Sequence, residues 1–289
     1  GMYWRKNNGY YWSQAPIERQ ALLIEAFDEI LQDKQSVEEM KLWLLKQKQT
    51  QSWETTKATA DAVYALLLRG TDLLSTGNSV KITAGNETID PETDTSIDTE
   101  AGTGYFKKTW TRVKPEMGNV TFENKGKNVA WGAVYWQYFE QLDKISGHDT
   151  PLSLNKDVFK EVKTETGRKL VKIGSQTELK PGDRIKVRVV LSTDRDMEYV
   201  HLKDMRASGL EPVNVLSQMK YREGIRYYQS TKDAATHFFF DWLPKGKYVF
   251  EYPLYVAQKG NFSNGITTVQ CMYAPEFSAH SKGIRLNIR

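Results

Sequence analysis

"LKPGDRIKVRVVLS", Leu179 to Ser192, is the stretch whose reading decides the fold. A Pro-Gly-Asp turn opens it, and Ile185, Val187, Val189 and Leu191 then alternate with Arg184, Lys186 and Arg188. A period of two sends the four apolar side chains to one face of an extended strand and the cations to the other. Downstream, "FFFDWLPKGKYVFEYPLYV", Phe238 to Val256, gives two strands joined by a Leu-Pro-Lys-Gly turn. "TTVQCMYA", Thr267 to Ala274, and "IRLNI", Ile284 to Ile288, add two more. Short strands at regular spacing predict an immunoglobulin-sized β-sandwich over residues 151–289.

Upstream the strand character persists to about residue 76. "KITAGNETID", Lys81 to Asp90, reads as two strands around an Ala-Gly-Asn turn, and "NVAWGAVYWQYF", Asn128 to Phe139, as one long aromatic strand. "ISGHDTPLS", Ile145 to Ser153, is the linker between this β region, residues 76–150, and the terminal sandwich.

Residues 1–75 switch to helical spacing. Leu23, Phe27, Ile30 and Leu31 recur at three to four residues after Pro16, which suits the first helical position. Ser36 and Glu39 form a capping box before Val37, Met40 and Leu44. Ala58, Ala62, Ala65 and Leu66 line a third helix, which Gly70 ends. The fold class is therefore α+β and multidomain: helical hairpins followed by two all-β units.

Composition bounds the function. Of 289 residues, 39% are hydrophobic and 26% charged, and no apolar run approaches the roughly 20 residues of a membrane helix. A net charge of +4, with Lys and Arg interleaved with Asp and Glu, gives no basic run suited to nucleic acid. The lone Cys271 excludes an intrachain disulfide and any multi-cysteine metal site. Gly1 before Met2 reads as a cleavage scar on an excised fragment.

Several clusters could carry chemistry, and each has a plainer reading. Asp194, Asp196, His201 and Asp204 could bind a hard cation or act as acid and base, but an Asp-rich turn and a polar strand face explain them. Glu87, Asp90, Glu92, Asp94, Asp98 and Glu100 lack calcium-loop spacing and suit a charged edge strand. Tyr3, Trp4, Tyr10, Tyr11 and Trp12, around Arg5 and Lys6, could hold a sugar or pack over helix ends. His148, His201, His237 and His280 are scattered without metal-ligand spacing. Cys271 has no base nearby in sequence, and "AGTGYFKK" stops short of a phosphate-binding loop. No catalytic, cofactor-binding or metal-binding residue is assigned, and no cofactor is called for.

The C-terminal half resembles the last domain of bacterial alpha-2-macroglobulin-like proteins. The likeness lies in "TDRDMEYVHLKDMRASGLEPV", an aromatic strand into "LPKGKY", and the closing "MYAPE", in that order. "QSWETTKATADAVYAL", Gln51 to Leu66, is similar to the last helical hairpins of the family's thioester-containing α/α toroid. Residues 76–150 fall where the family has half of a CUB-like domain.

The resemblance implies a non-enzymatic C-terminal piece of a large cell-envelope protein, periplasmic or surface-exposed and lipid-anchored through the parent chain. Its partners would be proteases and the parent's other domains. It would serve protease entrapment by conformational change, with the DRD turn and the MYAPE segment as joints. No Cys-x-Glu-Gln occurs here, so no residue of thioester chemistry carries over. Two other classes compete: a carbohydrate-binding or adhesive module centred on the aromatics, and a terpenoid-cyclase-like enzyme. The second would need clustered helical aspartates, whereas Asp28 and Asp33 stand apart.

Overall fold

The structure is a computed structural model. It describes residues 1–4, 15–70, 80–91, 93–100, 104–125, 130, 132–174, 177–222 and 224–289. The chain divides into two compact units, Gly1–Lys46 with Trp53–Val134, and Gln47–Ser52 with Tyr135–Arg289.

In the first unit, helix α1 spans Pro16–Ala26 and runs into a single π-helical turn, Phe27–Leu31, which Gln32 closes in the left-handed conformation at φ 52°. Pro16 holds the first helical position, where its missing N–H costs nothing. Helix α2, Lys34–Thr50, starts earlier than the Ser36 and Glu39 pair implies. Asp33 caps it instead: Ser36 N donates to Asp33 Oδ1 at 3.1 Å and Ser36 Oγ to Oδ2 at 2.6 Å. Helix α3, Thr56–Leu68, is capped by Thr55, whose hydroxyl accepts from Ala58 N at 3.0 Å. Ala58, Ala62 and Ala65 are buried against Ile24, Met40 and Leu44, so small side chains set the close helix approach.

The same unit holds a small sheet in the order β2-β1-β5, with β1 Val80–Ala84, β2 Glu87–Ile89 and β5 Val120–Asn124. Gly85 turns β1 into β2 at φ 57°, which a Cβ would strain. A separate hairpin pairs β3, Ile97–Glu100, with β4, Tyr105–Lys108. The expected long strand is absent from the described part of its stretch: residues 132–139 belong to no strand, and Phe139 is fully exposed. An isolated aromatic run needs a neighbouring strand to satisfy its backbone, and none of the described strands pairs with it.

The second unit contains a β-sandwich. One sheet runs β10-β14-β8-β6-β7, with β6 Leu152–Thr164, β7 Gly167–Lys172, β8 Arg184–Thr193, β10 Leu210–Pro212 and β14 Gly246–Val256. The other runs β11-β12-β13-β9-β16-β17, with β9 Met197–Met205, β11 Gln218–Arg222, β12 Ile225–Thr231, β13 Ala235–Leu243, β16 Thr267–Cys271 and β17 Ala274–His280. A short pair, β15 Gly260–Ser263 with β18 Arg285–Ile288, lies outside both. Ile185, Val187, Val189 and Leu191 are all buried, as their spacing predicts. Phe250 from the first sheet meets Tyr227, Phe238 and Phe240 from the second, with centroids 5.3–5.5 Å apart.

Candidate functional site

The two motifs singled out in the sequence meet at one end of the six-stranded sheet. The DRD turn, Asp194 to Asp196, joins β8 to β9, and Met272 with Tyr273 forms the turn from β16 to β17. Three contacts bind them together. Cys271 Sγ donates to Glu198 O at 3.3 Å, Met272 N donates to Tyr199 O at 2.9 Å, and the Arg195 guanidinium lies 5.1 Å from the Phe277 ring centroid.

Tyr199 sits in the left-handed region at φ 53° inside β9, uncommon for a large side chain. That turn of the backbone directs its ring edge-on to Tyr273, with centroids 5.2 Å apart at 85°. Tyr199 is 48% exposed, Met272 59% and Tyr273 81%, so three large side chains project from a framework fixed beneath them. Clustered exposed apolar side chains of this kind are the type of surface at which proteins make contacts.

The DRD carboxylates are fasteners. Asp196 Oδ1 accepts Lys245 N at 2.7 Å, which ties the turn to the Leu-Pro-Lys-Gly turn. Asp194 pairs with Arg195 at 2.8 Å, and that hydrogen bond holds its carboxyl below the usual range. Gln47–Ser52 is part of this same unit. Thr50 Oγ1 donates to Asp196 O at 3.0 Å, and Ser52 N to Glu198 Oε2 at 3.1 Å.

The other two candidates of that stretch go elsewhere. Asp204 faces the core and is fully buried with Lys156, so it belongs neither to the turn nor to a solvated strand face. Lys156 escaped the sequence reading, although it stands in phase with Leu152, Leu154 and Val158. His201 lies on the opposite face, and there the scattered histidines come together: His201 Nε2 and His237 Nδ1 are 2.9 Å apart in near-coplanar rings. Burial, followed by His237 and then Lys203, holds His201 below the ordinary imidazole range, and burial, Lys203 and Lys232 do the same to His237. His148 and His280 also face each other, with ring centroids 5.7 Å apart.

Cys271 is buried, and burial pushes its thiol up, so it is no ready nucleophile. Among the described acids of the Glu87–Glu100 run, Asp94 is paired with Lys108 at 2.5 Å and Asp98 stands on β3; Glu92 lies outside the described residues. Tyr3 stacks on Trp43 at 5.5 Å and Trp4 meets Phe27 edge-on at 5.7 Å, the packing arrangement. Arg5, Lys6, Tyr10, Tyr11 and Trp12 lie outside the described residues. No group of three metal-ligating side chains occurs among the described residues.

Residues 152–276 match the family model described as the bacterial alpha-2-macroglobulin MG10 domain. Among solved structures, a crystal structure of a Salmonella alpha-2-macroglobulin mutant aligns with 98% of this chain and 18% of its own, at 12% identity and TM-score 0.39. Trypsin-activated alpha-2-macroglobulin from Escherichia coli aligns with 95% of this chain and 18% of its own, at 11% identity and TM-score 0.44. The native Escherichia coli protein from domain MG7 to the C-terminus gives 95% and 42%, at 11% identity and TM-score 0.38. The chain thus spans less than half the length of each of these proteins. No curated protein matches it.

Proposed function

We propose, for a chain whose residues 152–276 match the bacterial alpha-2-macroglobulin MG10 domain model, that it serves protease entrapment as the C-terminal portion of an envelope protein. The observation that carries this is the Tyr199, Met272 and Tyr273 cluster, exposed on a rigid end of the sandwich. Its role is to hold a neighbouring domain of the parent in the resting state and release it after the protein is cut. Residues 1–75 then close a helical toroid, residues 76–150 are half of a CUB-like domain, and residues 151–289 are the terminal sandwich. In this reading the chain's work is mechanical, and proteases and the parent's own domains are its partners.

Three exposed aromatic or thioether groups suit such a contact because they bury large area for few frozen torsions. A docking surface that must later part is best built on a framework that does not itself rearrange. The hydrogen bonds from Met272 to Tyr199 and from Lys245 to Asp196 supply that framework.

The test uses the full-length parent, incubated with a broad-specificity protease with and without methylamine, followed by mass spectrometry and by sizing under native conditions. Entrapment predicts limited cleavage in one segment and a protease that stays associated. A methylamine adduct on a Gln outside this chain identifies a thioester trap, and cleavage with retention but no adduct identifies a steric one. A protease that cuts throughout and is never retained refutes the proposal. Met272→Ser with Tyr273→Ser should change the rate of the cleavage-coupled transition and leave the melting of the sandwich in place.

A further inference from the structure

The outer face of the β10-β14-β8-β6-β7 sheet takes no part in that surface, and it concentrates charge that the linear sequence disperses. At the β6–β7 turn, Lys163 stands opposite Arg168. The next row sets Arg184 beside Tyr255, with Glu161 beyond it. Lys186 then lies between Pro253 and Phe159, and Lys172 is opposite Phe159. Arg188 follows between Glu251 and Asp157, and Lys247 ends the face opposite Ser192.

These rows hold seven cations and four carboxylates, Asp157, Glu161, Glu251 and, opposite Tyr255 on β10, Glu211. The face therefore carries an excess of three positive charges, most of the +4 of the whole chain. Three of the carboxylates are engaged by these cations: Glu161 by Arg168 at 3.2 Å and Arg184 at 3.4 Å, Glu251 by Arg188 at 2.6 Å and Lys186 at 3.7 Å, Asp157 by Lys172 at 2.7 Å, while Glu211 stands on the edge strand β10. Arg184, Lys186 and Arg188 share a face by their alternation in sequence, and strand pairing adds Lys163, Arg168, Lys172 and Lys247 to it. The sheet turns every second residue to one side and brings the cations together.

The shape selects the partner. The charges do not converge on a pocket; they lie across four strands, a width of roughly 15 Å between the outer strand axes. Rings are set among them: the Arg188 guanidinium stands 4.8 Å from the Phe159 centroid, and that of Arg184 stands 5.9 Å from Tyr255. Cations interleaved with aromatic rings on a flat face match a plane of phosphates over an interfacial layer. A nucleic acid would need a helix or ribbon to enter a groove, and this face offers neither.

We propose that this face binds anionic phospholipid headgroups at a bilayer surface. Among the described residues it carries no apolar protrusion long enough to insert, so association is peripheral and driven by charge. Raising ionic strength shortens the reach of such charges, to about 10 Å at 0.1 M and less beyond, and weakens binding steeply. The inference stands independently of protease entrapment.

The experiment is co-sedimentation of the intact 289-residue chain with vesicles of mixed phosphatidylglycerol and phosphatidylethanolamine, against vesicles of phosphatidylcholine alone. The chain should sediment with the first, in a salt-sensitive way, and stay in solution with the second. K163E/K172E/K247E should weaken binding on the order of tenfold or more, since each basic residue near such a surface contributes about 1 kcal/mol. K107E/K114E/K125E makes the same change in net charge on exposed lysines elsewhere and should retain binding. Circular dichroism verifies that both variants are folded, and if the first triple variant fails to fold, single reversals of Lys163 and Lys247 replace it. Absence of binding to anionic vesicles overturns the proposal. Equal loss in both variants, or retention on soluble polyglutamate without any on vesicles, overturns it as well.

Discussion

Lys156 Nζ lies 2.7 Å from Asp204 Oδ1 in the middle of the sandwich, and both side chains are wholly shielded from water. The pair joins β6 of one sheet to β9 of the other. Its remaining hydrogen bonds are supplied: Lys156 donates to Met205 O at 2.6 Å, Thr267 Oγ1 donates to Asp204 Oδ1 at 2.6 Å, and the Tyr252 hydroxyl donates to Asp204 Oδ2. Burial, then the Asp204 charge, pushes the Tyr252 phenol far up, so it stays a donor at every physiological pH.

Removing one partner leaves a bare charge in the core. Lys156→Met and Asp204→Leu should each destabilise the sandwich by about 3–5 kcal/mol, whereas the double variant should recover much of that loss. Urea unfolding of the four proteins measures it. Additive losses would show that the two residues act separately.

The His201 and His237 pair makes stability depend on pH. Both imidazoles are held below the ordinary value of 6.5, so the unfolded chain binds protons more readily than the folded one. Their contribution is present above 6.5 and is lost as pH falls from there through the lowered folded values. Denaturant midpoints at pH 7.5 and 5.5 should differ in the native protein. The difference should shrink in His201→Gln/His237→Gln.

Asp94 is held at about 2 by the Lys108 hydrogen bond first and then by Ser96. Its folded value lies below the ordinary 3.8, so the anchoring it gives the β3–β4 hairpin is present above 3.8 and is lost as pH falls toward 2. Carboxyl NMR should record that titration, and Lys108→Met should return the midpoint toward 3.8.

Between residues 132 and 139, Val134, Tyr135, Trp136, Tyr138 and Phe139 are all exposed. Light scattering should show association that grows with protein concentration. Trp136→Ser with Phe139→Ser should lower it severalfold. A monomer at all concentrations would show that this run is solvated without consequence.

How much was legible depended on whether a residue's setting is local. The strands from Arg184 to Leu191 and the Ala58, Ala62 and Ala65 stripe follow from period alone, because alternation and helical spacing are properties of consecutive residues. That Asp194 and Asp196 lie in a turn between strands was readable from composition, the joint role of the DRD and MYAPE segments was implied only by the family likeness, and the meeting of Met272 with Tyr199 came from the structure alone. The Asp33 cap was missed because Ser36 and Glu39 satisfy the same pattern three residues on. The aromatic stretch at 128–139 misled because β propensity states a preference for pairing and not the presence of a partner.

The sequence by itself determined the helical start, the sandwich and its inward faces, all of which rest on periodicities of two and 3.6. Tertiary structure alone decided that Lys156 meets Asp204, that His201 meets His237, and that seven cations share one sheet face. Those relationships depend on strand order and register, and the histidine pair, 36 positions apart, like the Lys156 and Asp204 pair, becomes adjacent only when nonlocal pairing fixes both.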